Sequence, residues 1–204
     1  MSKKTKISIS LIGLFIISVL LLYLDLCSGF DFYIYNLLTI IISPTLTVIM
    51  KSITVLGNTT TIVALCVVLL LFKTTRIPYG YPITITVSLS SLINNIIKLI
   101  VARQRPSIWQ MVVETSYSFP SGHAMVSASL YTFLILIILK QKKSIKRTIL
   151  ISLLVLLTGL IGISRVYLGV HYISDVLAGF ILGIAVSLLV YEYIISKTGF
   201  YNDY

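Results

Sequence analysis

The chain has 204 residues, of which 57% are apolar and only 11% charged, with a net charge of +10 and a mean hydropathy of +1.03. Soluble domains carry about 25% charged residues, so this composition cannot cover a water-facing surface and excludes a cytosolic, secreted or disordered protein. The basic residues fall in short segments between apolar runs, where they report membrane topology rather than nucleic-acid binding.

A spanning helix needs about 20 apolar residues. The first candidate, 7–24, follows Lys3, Lys4 and Lys6. It is longer than the apolar region of a signal peptide, about 7–15 residues, and no small-residue cleavage pattern follows, so it reads as an uncleaved span. Leu26 precedes Cys27 where a lipoprotein site would need a small residue. Two cysteines, Cys27 and Cys66, are too few for a disulfide framework. The stretch 28–51 is apolar and aromatic but broken by Asp31 and Pro44. It is expected to form short helices in the outer interface, apolar face down. Further spans are expected at 52–72, 82–101, 122–139, 148–164 and 172–195. The predicted fold is therefore all-α, a single integral membrane domain over 1–204 with six transmembrane helices.

Orientation follows from the cations. Lys3, Lys4, Lys6, Lys73, Arg76, Lys197 and the cluster Lys140, Lys142, Lys143, Lys146 and Arg147 all fall on the N-terminal side, eleven of the 16 Lys and Arg. Lys51, Lys98, Arg103, Arg105 and Arg165 fall on the other. The bias predicts a multi-pass protein of the cell membrane with both termini in the cytoplasm.

Ionisable residues near a bilayer are costly and are functional candidates by default. Six of them fall at the outer ends of spans three to six: Lys98, Arg105, His123, Arg165, His171 and Asp175. Three cations at one place suit a multiply charged anion, and arginine matches phosphate oxygens with a planar fork. Ser121 and Gly122 open a helix, where free backbone N–H groups and the helix dipole make an anion seat. His171 and Asp175 are four residues apart and share a helix face. A carboxylate beside an imidazole fixes its tautomer and stabilises its charged form. That makes His171 a candidate nucleophile towards phosphorus, and His123, from another helix, a candidate general acid. The chain shows no Cys/His zinc pattern and no paired-carboxylate magnesium pattern, and no cofactor is expected. Trp109, Gln110, Met111 and Glu114 lie in the loop between the first two groups and read first as ordinary loop residues, with lining of the site's mouth as the alternative.

At these residues the chain resembles the type 2 phosphatidic acid phosphatase family of membrane lipid phosphatases. Lys-x6-Arg-Pro matches Lys98 to Arg105-Pro106, Pro-Ser-Gly-His matches Pro120 to His123, and Ser-Arg-x5-His-x3-Asp matches Ser164, Arg165, His171 and Asp175. All three parts are complete and in order. The resemblance implies a metal-independent phosphatase with an outward-facing site. It implies a phosphohistidine on His171, oriented by Asp175, with His123 protonating the leaving group. Lys98, Arg105, Ser121, Gly122, His123 and Arg165 would hold the phosphate.

Two lipid substrates fit the resemblance, undecaprenyl diphosphate and phosphatidylglycerophosphate. An outer-face site favours the first, because that carrier diphosphate is released outside. Broad hydrolysis of phosphatidate and other lipid phosphates is an alternative. A non-catalytic lipid or anion transporter is a different class, but it would not need a His–Asp pair, and no internal repeat of the kind transporters often show is present. The partners expected are the bilayer and a lipid phosphate, with no nucleic acid.

Overall fold

The computed structural model describes residues 1–107 and 109–198, with side chains up to 194. The side chain of Lys197, counted above among the cytoplasmic cations, lies outside the described part. Among the described residues the chain is helical with no strand. In order the helices are α1 (Lys3–Tyr23), α2 (Ser28–Ile40), α3 (Pro44–Val55), α4 (Thr59–Leu71), α5 (Lys73–Thr75), α6 (Tyr81–Val101), α7 (Gly122–Ile138), α8 (Ile145–Tyr167) and α9 (Ile173–Thr198). A π-helical turn, Arg76–Gly80, joins α5 to α6, so Lys73–Val101 runs as one helix.

Local chemistry sets the boundaries. Ser2, Ser43, Ser121 and Ser144 each stand just before a helix and accept a hydrogen bond from a first-turn N–H. Pro44 sits at the first helical position of α3, where its missing N–H costs nothing. Helix α6 ends at Ala102, which adopts a left-handed conformation with φ of 50°.

Among the described residues, four helices are long and apolar enough to cross a membrane: Lys3–Tyr23, Lys73–Val101, Ile145–Tyr167 and Ile173–Ile194. The protein is therefore a multi-pass membrane protein. Helices α3 and α4 pass the same test only as a pair, bent by 40°, and α7 is shorter, at 17 residues. The continuous span expected at 52–72 is thus broken at Leu56–Asn58. The break sits at a close tertiary contact. A Cβ on Gly57 would lie 2.7 Å from Ile161 Cγ2 and 3.3 Å from His123 Cδ2, so the backbone passes too close to α7 and α8 for a larger residue. The segment 28–51 does form short helices, as expected, although α3 runs on past it to Val55.

Helix α7 is the centre of the bundle and packs against α6, α8 and α9. It is buried on nearly every side, from Ala124 to Ile138, as a helix apolar all round should be. Its contact with α9 is backbone on backbone. A Cβ on Gly179 would lie 2.8 Å from the Ser121 carbonyl, and one on Gly183 would lie 2.3 Å from the Met125 carbonyl. This is the small-residue packing that stands in for hydrophobic association in lipid. Helix α1 lies outside on α9, where Ser8 Oγ donates to the Ala185 carbonyl at 2.8 Å and Phe15 stacks on Phe119.

Candidate active site

Neighbouring helices α6 to α9 alternate in direction. One end of the bundle therefore receives the C-termini of α6 and α8 and the N-termini of α7 and α9. That alternation brings Lys98, His123, Arg165, His171 and Asp175 to one level. The link from α9 to α7 is direct: the Ser121 N–H donates to the Asp175 carbonyl at 3.0 Å.

His171 is buried just before α9. Its Nδ1 lies 3.3 Å from Ser118 Oγ and 3.5 Å from Asp175 Oδ2. Its Nε2 lies 3.2 Å from Arg105 Nη1. Burial pushes the imidazole down to about 4, against the opposing pull of Asp175. Burial thus favours the neutral ring, and Asp175 beside Nδ1 favours the tautomer with its proton on Nδ1 and the lone pair on Nε2.

Asp175 is fully enclosed. Its Oδ2 accepts from Ser118 Oγ at 2.5 Å and from the Tyr172 N–H at 2.9 Å. Its Oδ1 accepts from Arg103 Nη1 at 2.5 Å. Arg103 also donates through Nη2 to Asp31 Oδ2 at 2.7 Å. Burial works against the Arg103 charge, but Asp175 and Asp31 outweigh it and raise its pKa.

Arg105 is fixed by the carbonyls of Ser116 and Val170, at 2.7 and 2.8 Å. Lys98 donates to Ser116 Oγ at 3.0 Å and to the Tyr117 carbonyl. His123 Nε2 lies 2.6 Å from Asn58 Oδ1. The side chain of Asn58, at the bend between α3 and α4, makes no cap bond to its own helix and orients the histidine ring instead.

A cavity of about 500 Å³ opens here. Lys98, Arg105, Gly122, His123 and His171 line it, so five of the eight sequence-predicted site residues meet at one space. The other three, Ser121, Arg165 and Asp175, stand behind the wall. Arg165 is only 2% exposed; it donates to Thr54 Oγ1 at 2.9 Å and to Glu114. Glu114 lines the cavity and covers Arg165. Among the four loop residues proposed for the mouth, Glu114 alone lines it. Trp109 stacks on Tyr35 at 4.2 Å, and the Met111 N–H donates to the Leu168 carbonyl. This loop presses on Gly169, whose φ of 71° and closeness to Trp109 admit only glycine.

Sequence reasoning missed Ser118, Arg103, Asp31 and Asn58. Ser118 and Arg103 lie next to recognised groups, and that adjacency was their only signal. Asp31 and Asn58 come from distant segments and carry none. No group of three or more His, Cys, Asp or Glu residues among the described residues converges as metal ligands would.

The chain is similar to known proteins along most of its length. A sequence model of the PAP2 superfamily matches residues 79–198. Phosphatidylglycerophosphatase B of Bacillus subtilis (strain 168) is 32% identical, over 89% of this chain and 92% of that protein. The undecaprenyl-diphosphatase of Sulfolobus acidocaldarius is 29% identical, over 79% of this chain and 77% of that protein. Among solved structures, the transmembrane PAP2-type phosphatidylglycerolphosphate phosphatase of Bacillus subtilis superposes with a TM-score of 0.85 at 30% identity, covering 95% of this chain and 98% of that one. LpxE of Aquifex aeolicus shares the fold, with a TM-score of 0.63 at 23% identity over 79% of this chain.

Proposed function

The chain belongs to the PAP2 superfamily and is a membrane lipid phosphatase, and from this membership and the site geometry we propose its substrate, residue roles and orientation. The substrate is a lipid with a terminal phosphate, phosphatidylglycerophosphate by preference. The observation that carries this choice is the cavity wall. Beyond Lys98 the wall continues along α6 through Asn95, Asn94, Ser91 and Ser88, facing Ile62, Val63 and Val126. These polar residues recur at helical spacing and form one stripe. Amide and hydroxyl groups suit the hydroxyl and second phosphate that follow the terminal phosphate of a glycerol headgroup. The apolar wall suits chains. Undecaprenyl diphosphate is the second reading, supported by the outward site expected from charge bias and by the Sulfolobus relative.

The phosphate lies against Lys98, Arg105 and the first N–H groups of α7, which Ser121 and Gly122 begin. Arg165 joins when Glu114 swings aside. His171 Nε2 forms a bond to phosphorus as the bond to the lipid oxygen breaks, and His123 gives that oxygen its proton. Asp175 holds the Nδ1 proton and stabilises the charge that the ring gains. Water then attacks the phosphohistidine, His123 takes the water's proton, and orthophosphate leaves. Fixed cations stabilise the charge on the transferring group.

Purified protein in detergent tests this. Phosphate release from phosphatidylglycerophosphate is expected to exceed that from phosphatidate by about tenfold, because a site built for hydroxyl groups loses bonds with the simpler lipid. Vanadate should inhibit competitively and EDTA should not inhibit. No release from these lipids or from undecaprenyl diphosphate would overturn the reading, and inhibition by EDTA would overturn the metal-free mechanism.

The six-span arrangement counts the bent α3–α4 pair and α7 as spans, with both termini cytoplasmic and the site outside. Ser107, exposed in the loop before α7, gives the check. In a Ser107→Cys protein an impermeant thiol reagent should label intact cells or right-side-out vesicles. Labelling only after the cytoplasmic face is opened would invert the topology.

A further inference from the structure

Helix α2 reaches the chemistry through one side chain. Asp31 is 2% exposed, although its helix carries exposed Phe30, Phe32 and Tyr33. Its Oδ1 accepts from the Ser174 N–H at 2.9 Å, and its Oδ2 accepts from Ser174 Oγ and Arg103 Nη2, both at 2.7 Å. Arg103 thus places one end of its fork on Asp31 and the other on Asp175. The Tyr172 ring lies 4.0 Å below the guanidinium. Both carboxylates sit at the N-terminus of α9, where the helix dipole favours anions.

We propose that Arg103 and Asp31 are positioning residues of the reaction, an outer ion pair that sets the charge and aim of Asp175 and hence the basicity of His171. This rests on the reading of His171 and Asp175 as the nucleophilic pair. Neither Arg103 nor Asp31 lines the phosphate cavity; both face a separate recess beside Tyr35 and Tyr172. They therefore act on turnover through Asp175 and not on substrate binding. A bidentate guanidinium can hold two carboxylates at once in fixed directions, which a lysine ammonium cannot.

The charge logic gives opposite signs for the two partners. His171 and Asp175 take up a proton as a unit. The groups facing that unit are Arg103, Ser118 and Tyr172 on the Asp175 side and Arg105 on the His171 side, with Lys98 and His123 across the cavity and Arg165 behind; Asp31, with Asp25 and Cys27 nearby, faces Arg103. A cation beside a carboxylate opposes protonation, by about 1–3 units of pKa for a close pair. Without Arg103 the pair binds its proton more readily. Without the Asp31 charge, Arg103 acts on Asp175 undivided, and the pair binds its proton less readily.

The experiment is the pH profile of kcat and KM for the full-length protein in detergent, on the lipid that the wild type hydrolyses fastest. Arg103→Gln should lower kcat about 10–100-fold at unchanged KM and move the acid limb of kcat/KM up by about one pH unit. Asp31→Asn should move that limb down. Arg103→Lys keeps the charge and loses the fork, so kcat should fall with the limb little moved. Asp31→Asn and Arg103→Lys carry the test alone if Arg103→Gln does not fold. Acid limbs that stay in place, or that move the same way in Arg103→Gln and Asp31→Asn, would overturn the proposal. A His171→Ala protein assayed in parallel separates the two ideas: if it still turns over, the nucleophile reading has failed, and the outer pair with it.

Discussion

Replacing His171 with alanine is expected to lower phosphate release by about 10⁴-fold or more, the scale seen when a covalent nucleophile is removed. His171 lines the cavity with its Nε2 beside Arg105 Nη1, and burial disfavours protonation of the ring. Asp175 keeps Arg103, Ser118 and the Tyr172 N–H after the change, so the buried carboxylate is not left bare and the fold should survive. The measurement is phosphate release at saturating lipid, with thermal unfolding of the variant beside that of the wild type. Near-normal turnover from a folded variant would remove His171 as the nucleophile.

Asp175→Asn is the second large effect, expected at about 10³–10⁴-fold in kcat with KM nearly unchanged. Loss of a comparable carboxylate behind a catalytic histidine costs about 10⁴-fold. The structure gives a specific reason. Every group around Asp175 donates: Arg103 to one oxygen, Ser118 and the Tyr172 N–H to the other. An asparagine amide must turn its own NH₂ towards one of these donor sets, whichever way it flips. One orientation opposes Arg103; the other opposes Tyr172 N–H and the Nδ1–H of His171 and favours the wrong tautomer. Asp175→Asn with kcat within tenfold of wild type would show that the carboxylate does not support the reaction.

Which groups would meet was more legible in the sequence than the scaffold that holds them. Lys98, Arg105, His123 and His171 were legible because ionisable groups in an apolar chain have few structural uses, and their placement at the ends of three spans left one place to meet. The bend at Leu56–Asn58 was not legible. The run 52–72 is apolar on both sides of the break, and hydropathy does not register a glycine squeezed between Ile161 and His123. The screen that Glu114 makes over Arg165 was not legible either, since no periodic rule ties a loop carboxylate to a helix end 51 residues away. Asp31 read as an interruption in an interfacial segment; its burial against Arg103 depends on tertiary packing that no local pattern encodes.

The glycine contact between α7 and α9 bears on how the protein answers to its membrane. A bilayer that thickens or thins makes embedded helices tilt and slide. Sliding α9 past α7 would bring larger residues of α9 to the places where only glycine fits against the carbonyls of Ser121 and Met125. The two helices therefore travel as one piece, carrying His123 and the His171–Asp175 end with fixed separation. Mechanical strain from the lipid falls on loosely held neighbours such as α4, whose flanks are exposed at Val63, Val67 and Val68. Membrane thickness is thus expected to act on the arrival of the lipid more than on the spacing of the candidate site residues.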